Sequence, residues 1–218
     1  MSRAGTRAIT PAAITAADIL PPDDYERRRA ELRGANMARK KARRVHVGPF
    51  VTFYFENRDT MWLQIHEMLR IEGGGEAQIA GELAAYNPLI PNGSELIATM
   101  MIEIDDAQHR AAVLARLGGI ESTVTLAFAG HAIQAAPVDP DEERTTPEGK
   151  ASSIHFLRFS FAPAAIAAFQ APGIQAPGTQ APVTQVVLAL GHPNYQHAAV
   201  VPEAVRQALA EDFDRVGG

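Results

Sequence analysis

Apolar positions along this chain recur at two spacings, near 3.6 and at 2, and each spacing predicts a different kind of element. Between Pro22 and about Arg44 they are sparse. Tyr25, Leu32 and Met37 are too few to bury one face, so the helix opened by Pro22, Asp23 and Asp24 is expected to stay half solvated. Val45 to Phe55 (VHVGPFVTFYF) is β-branched and aromatic and reads as a strand bent near Gly48-Pro49. Asn57 or Asp59 is placed to cap a helix running through about Ile71, in which Met61, Ile65, Met68 and Leu69 share a face, and Gly73-Gly74-Gly75 closes it. A further helix spans about Glu76 to Ala85 and stops at Tyr86-Asn87-Pro88. Leu96, Ala98, Met100, Ile102 and Ile104 alternate with polar neighbours as in a half-buried strand, after which Asp105 or Asp106 caps a helix through Leu117.

The second half is mostly strand. Ser122 to Phe128 and His131 to Ala136 resemble a hairpin, a charged loop runs from Pro137 to Lys150, and Ile154 to Phe161 alternates again. A short helix over Pro163 to Phe169, a strand over Val183 to Leu190 and a terminal helix over Pro202 to Phe213 complete the chain. This order does not alternate strictly, so the expected class is α+β, with a single antiparallel or mixed sheet of about five or six strands and about five helices. Residues 1–21 read as a flexible arm. Residues 22–213 form one domain, with the basic helix over 22–44 and a low-complexity insertion over 171–181 (from APGIQ APGTQ APVTQ), and 214–218 form a tail.

Composition narrows the chemistry. The 218 residues include no cysteine, which removes disulfides, thiolate-ligated iron-sulfur clusters, Cys-ligated zinc and thiol nucleophiles. Any bound metal must take His and carboxylate ligands, a donor set suited to iron or manganese. No apolar run approaches the roughly 20 residues of a membrane span and no signal stretch opens the chain, so membrane insertion is not expected and the cytoplasm is the expected location. The net charge of −5 is unevenly spread: residues 1–50 hold 11 Lys and Arg against 5 Asp and Glu, and the remainder 9 against 20. Arg39, Lys40, Lys41, Arg43 and Arg44 end the basic segment and are candidates for contact with an acidic partner. Nucleic-acid binding through the same segment ranks last, because aromatic interleaving is absent and the rest of the chain is acidic.

No two of the seven histidines stand at HxxxH or HExxH spacing, the glycine triplet lacks a following Lys-Ser/Thr, and no serine lies in a GxSxG context. The densest polar cluster is Glu56-Asn57-Arg58-Asp59, where a strand becomes a helix, followed by Gln64 and Glu67 on one helix face. A second is the turn Gly191-His192-Pro193-Asn194-Tyr195. The ligand-binding candidates are therefore Glu56, Asn57, Arg58, Gln64, Glu67, Asn87, His192, Asn194 and Tyr195, with Glu56, Glu67, Glu103 and His192 as metal-ligand candidates. Glu56, Asn57, Gln64 and Glu67 are expected to share one polar cavity with His192 and Tyr195. The plainer expectation is that Asn57 only caps its helix and His192 only closes its turn.

RRVHVGPFVTFYFENRDTMWLQIHEMLRIE, ELAAYNPLIPNG, ELIATMMIEIDD and LGHPNYQHAAVVPEAVRQAL, in that order, resemble an uncharacterised bacterial family known only as a domain of unknown function. The resemblance runs from about Ile14 to Phe213. Its motif positions fall on Arg44, Gly48, Pro49, Glu56, Asn57, Arg58, Thr60, Gln64, Glu67, Met68, Tyr86, Asn87, Pro88 and Gly191 to Tyr195, while the pentapeptide insertion departs from the pattern. What the resemblance implies comes from gene company with rubrerythrin-like di-iron proteins and iron-sulfur proteins similar to heterodisulfide reductase subunits. It implies an accessory or binding protein of a redox or peroxide-response system that docks with such a partner. An iron- or manganese-dependent enzyme or metal-binding protein is the alternative.

Overall fold

The structure, a computed structural model, describes residues 13–171 and 185–214; the first twelve residues of the expected arm, most of the expected insertion and most of the tail lie outside the described residues. Helix α1 (Pro22–Lys41) carries Asp23 and Asp24 in its first turn, as expected, but stops short of Arg44. The reason lies in the residues that follow. Val45 and Val47 alternate inward, which draws Arg44 into a strand, β1 (Arg44–Val47).

The stretch expected as one bent strand is a hairpin of β1 and β2 (Val51–Phe55), with Val47 opposite Val51 and Arg44 opposite Tyr54. Gly48 makes the turn possible. Its φ is +69°, and a Cβ there would lie 2.6 Å from the Tyr195 hydroxyl and 2.6 Å from the His197 ring. There follow α2 (Arg58–Glu72), α3 (Glu76–Tyr86), β3 (Glu95–Ile102), α4 (Ala107–Leu114), β4 (Val124–Phe128), β5 (His131–Gln134), β6 (Ala136–Pro137), β7 (Ile154–Ser160), α5 (Pro163–Gln170), β8 (Val187–His192), β9 (Tyr195–Val200) and α6 (Glu203–Asp214).

The α+β class stands, but the single sheet expected from sequence is two antiparallel sheets, one of five strands ordered β1-β2-β3-β7-β6 and one of four ordered β5-β4-β8-β9. The alternating strands supply two apolar faces, and each is the partner of the other. Phe53, Phe55, Leu96, Met100, Leu157 and Phe159 from the first sheet join Val124, Leu126, Leu188 and Leu190 from the second in one core. Phe128, Phe161, Phe169 and Phe213 pack ring to ring beside it, bringing in α5 and α6. Full burial of one such ring is worth roughly 1.5–3 kcal/mol.

The opposite face of the five-stranded sheet is covered in part by helices. Met61, Ile65, Leu89 and Ile90 pack on Ile97, and Ile14, 2% exposed, joins them. From residue 13 onward the expected arm is therefore part of the helical layer: the Asn87 side chain exchanges two hydrogen bonds with the Ile14 backbone, and the Trp62 indole donates to the Asp18 carbonyl. No helix among the described residues is long and apolar enough to cross a membrane.

The layers meet at Arg43, expected on the surface and found only 4% exposed. Its guanidinium donates to the carbonyls of Phe55, Glu56 and Ala208 and pairs with the Asp212 carboxylate, tying the end of α1 to β2 and α6. Arg43→Ala removes the donor from all four acceptors, and removal of one partner of a buried ion pair costs about 3–5 kcal/mol. The neighbouring Arg44→Ala, at an exposed position, is expected to change stability by about 0.5 kcal/mol or less. Urea denaturation of the two variants checks this, and equal losses would contradict it.

Candidate functional site

The strand-to-helix cluster proves to be a set of joints. The Asn57 side chain accepts from the Thr60 amide and the Thr60 hydroxyl from the Asn57 amide, a reciprocal cap on α2. Arg58 pairs with Asp18 at 2.8 Å and Asp59 with Arg39 at 3.2 Å. Glu67 receives two hydrogen bonds from Arg29 at 2.8 Å, one from the Tyr25 hydroxyl at 2.5 Å, and lies 3.7 Å from Arg33. Arg29, aided by Tyr25, pulls its carboxyl pKa down to about 2 against the opposing effect of burial. Beside it the His66 ring lies between Tyr25 and Trp62, its Nε2 accepting from the Leu20 amide, so that Nδ1 carries the proton and donates to the Trp62 carbonyl. Burial lowers the His66 pKa, consistent with this neutral tautomer. Gln64 is half-buried on the same helix.

The second predicted cluster is also a joint, at a different place. The Tyr195 hydroxyl donates to the Val47 carbonyl at 2.7 Å and accepts from the Phe50 and Val51 amides at 3.2 Å, clasping the β1–β2 turn. His192 Nδ1 accepts from the Asn194 amide, and the Asn194 side chain donates to the Arg116 carbonyl. The expected cavity joining Glu67 to His192 and Tyr195 is replaced by these separate partner sets, since Glu67 answers to α1 and Tyr195 to the β1–β2 turn. Glu56 accepts from the Thr99 hydroxyl at 2.8 Å through one oxygen, its other oxygen being buried without a partner. Glu103 binds Thr52 and Tyr54. Among the described residues no three His, Asp or Glu side chains converge to hold a metal ion.

What remains is the uncovered part of the five-stranded sheet's outer face. Arg44 stands opposite Tyr54 and His46 opposite Thr52, and Glu103 follows β3 beside them. The Thr52 hydroxyl has one proton and donates it to Glu103 Oε2 at 2.6 Å. It must therefore accept from His46 Nδ1, 2.9 Å away. The Nε2 of this exposed ring is left as an acceptor with a fixed orientation. The Tyr54 hydroxyl donates to the other Glu103 oxygen at 3.1 Å, and Lys40 Nζ lies 6.0 Å from the centre of its ring. Burial, with the adjacent Glu103 carboxylate, raises the Tyr54 pKa, while Arg44 opposes. The arrangement can receive an anionic group at Lys40 and Arg44, and can take up a proton at His46 with Thr52 and Glu103 supporting the resulting charge.

Lys40, Arg44 and Glu103 were candidates from sequence. His46, Thr52 and Tyr54 were not, although a signal exists: once Gly48-Pro49 is read as a hairpin turn, the polar positions 44, 46, 52 and 54 fall on one face.

The chain belongs to the family described as Protein of unknown function (DUF3501), whose model matches residues 13–213. A protein of unknown function from Burkholderia pseudomallei K96243, known from a crystal structure, is 36% identical to it with a TM-score of 0.81, over 93% of this chain and all of that one. No curated protein matches it. The resemblance read from the motifs thus holds at the level of an uncharacterised family.

A carboxyl group held near pKa 2 in the folded state, against an ordinary 4.5, stabilises the fold above pH 4.5 and loses that contribution as pH falls toward 2. Glu67→Gln is therefore expected to cost about 1–3 kcal/mol at pH 7, with the two proteins converging as pH approaches 2. Thermal denaturation from pH 2 to 8 checks this. A difference that does not vary with pH would contradict the role given to the Arg29–Glu67 pair.

Proposed function

We propose that the protein is a non-enzymatic accessory protein that holds an acidic surface of a partner against the basic corner formed by Lys40, Lys41 and Arg44. The observation that carries this reading is the division of charge on α1. Arg29, Arg33 and Arg39 face α2 and pair with Glu67 and Asp59. Lys41 and Arg44 are exposed, and Lys40 sits over the Tyr54 ring at the edge of the open sheet face. A row of cations whose own helix is already anchored presents charge with little further ordering, which favours rapid capture of an acidic surface. The redox setting implied by the sequence resemblance names the partner class, an iron-sulfur or rubrerythrin-like di-iron protein.

A second reading, an acid–base enzyme, is favoured by the His46–Thr52–Glu103 chain alone. There His46 Nε2 takes a proton from a substrate while the chain of hydrogen bonds stabilises the imidazolium.

The two readings separate by mutation. Combined Lys40→Glu and Arg44→Glu is expected to weaken binding to a purified rubrerythrin-like protein from the same organism by about tenfold or more, about 1.4 kcal/mol, at low salt. The difference should shrink as the Debye length falls from about 10 Å at 0.1 M to about 3 Å at 1 M. His46→Gln should alter binding little. Titration calorimetry at several salt concentrations measures this: salt-insensitive binding, or loss only with His46→Gln, overturns the docking reading, and tight binding to mixed-sequence DNA replaces it with a nucleic-acid one.

A further inference from the structure

The geometry points to a second site, on the edge of the five-stranded sheet away from the basic corner: the pocket at His155 and Glu121 takes a small primary ammonium group. Its walls come from distant parts of the chain. Strand β7 turns His155 inward, leaving it 1% exposed. The charged segment after β6 is folded back over it by three contacts. The Gly119 amide donates to the Thr145 hydroxyl at 3.0 Å, the Ala151 amide donates to the Leu114 carbonyl at 2.9 Å, and Gly118 lies so close to the Gly149 carbonyl that a side chain there would collide with it. The resulting cavity is small, about 20 Å³, enough for one ammonium head with its substituent in the open mouth, and is lined by Glu121, Pro137, Asp139, Glu142, Arg144 and His155 among others.

Two acceptors face each other inside. His155 Nε2 lies 2.9 Å from the Ser152 carbonyl, which can only accept, so Nε2 carries the proton and Nδ1 presents a lone pair. Glu121 Oε2 is 3.5 Å from Nδ1. Both atoms are buried without a hydrogen-bond partner. Burial holds the imidazole pKa down, with Glu121 opposing and Arg144 adding to the effect of burial, which favours the neutral ring. Two unpaired acceptors at this separation are costly until one donor group, lying beside the pair, serves both.

Charge decides which donor. Arg144 pairs with Glu142 at 2.5 Å and its guanidinium lies over the Phe156 ring, its buried Nε having no partner, and the carboxylates of Glu121 and Asp139 outnumber what positive charge it leaves in the pocket. A neutral hydroxyl carries one proton and satisfies one acceptor, whereas an ammonium group donates to Nδ1 and Oε2 together and offsets the negative charge. A metal ion fits less well, because no three potential ligands converge among the described residues.

Methylammonium chloride is the probe. It is titrated into protein labelled with ¹⁵N-histidine at pH 7, ionic strength being held constant with sodium chloride. The expected result is a saturable shift of the His155 ring nitrogens without protonation of the ring, the exposed His46 resonance serving as the unshifted control. Glu121→Gln should weaken the affinity by about tenfold or more with little change in melting temperature. Should that variant fold poorly, Asp139→Asn on the loop is expected to weaken binding in the same direction. The absence of a saturable shift, or an equal shift with sodium chloride alone, overturns the proposal and leaves a pocket that holds water.

Discussion

A guanidinium cannot be taken out of water at the junction of three layers unless nearly all of its donors are used, and the structure is organised around meeting that condition at Arg43. An unpaired charge in such a place costs several kcal/mol. Four acceptors from β2, the residue after it and α6 surround Arg43 instead. This contact ties the end of α1 to β2 and holds α6 against the sheet. Arg44 is adjacent in sequence but lies on the opposite side of the strand, in solvent, because side chains alternate across a strand. One buried cation thereby places the exposed one.

The same logic accounts for the motif residues. Asn57, Asn87, Asn194 and Tyr195 each hold backbone groups that have no partner of their own: helix-start amides, the chain entering at Ile14, the carbonyl of Arg116 and the amides of the β1–β2 turn. Polar side chains dense enough to stand out in a sequence are here the fasteners of irregular backbone, where neither a helix nor a ladder supplies the bonds. Setting these fasteners aside leaves His46, on the open sheet face, and His155, in its buried pocket, each with one ring nitrogen not used by the fold.

Much of the fold was legible from local pattern. The alternation through Leu96 to Ile102 and the apolar face of Met61, Ile65 and Leu69 gave β3 and α2, because each is a property of neighbouring residues. The division into two sheets was not legible. It depends on β4 pairing with β8 across some sixty residues, which no local period records. The hairpin at Gly48 was hidden for another reason: β-branched and aromatic residues stand on both sides of Gly48-Pro49, so the turn looked like a bend in one strand. That one reading cost the site as well, since only the register Arg44 to Tyr54 and His46 to Thr52 gathers the polar face. The pairing of Glu67 with Arg29 was not legible because its partners lie on a different helix, and charge alone does not tell a ligand from half of an ion pair.

The uneven charge of the sequence resolves into three uses in space. Glu26, Glu67 and Asp59 meet Arg70, Arg29 and Arg39 in reverse order along the two helices, which makes α1 and α2 antiparallel. Between Arg29 and Arg39 the helix rises about 15 Å. Ion pairs so far apart resist both sliding and rotation of α1, although each alone is weak at a surface. An apolar seam would bury the helix more firmly but would tolerate small slips. Charges held at separate points fix register instead, and they leave Lys40, Lys41 and Arg44 in constant relation to the sheet. Other carboxylates collect elsewhere, and Glu121 and Asp139 line a pocket of opposite sign. A chain of net charge −5 can in this way present a cationic corner and an anionic pocket at once, because the ion pairs along α1 hold the corner in place while the pocket is built from other segments.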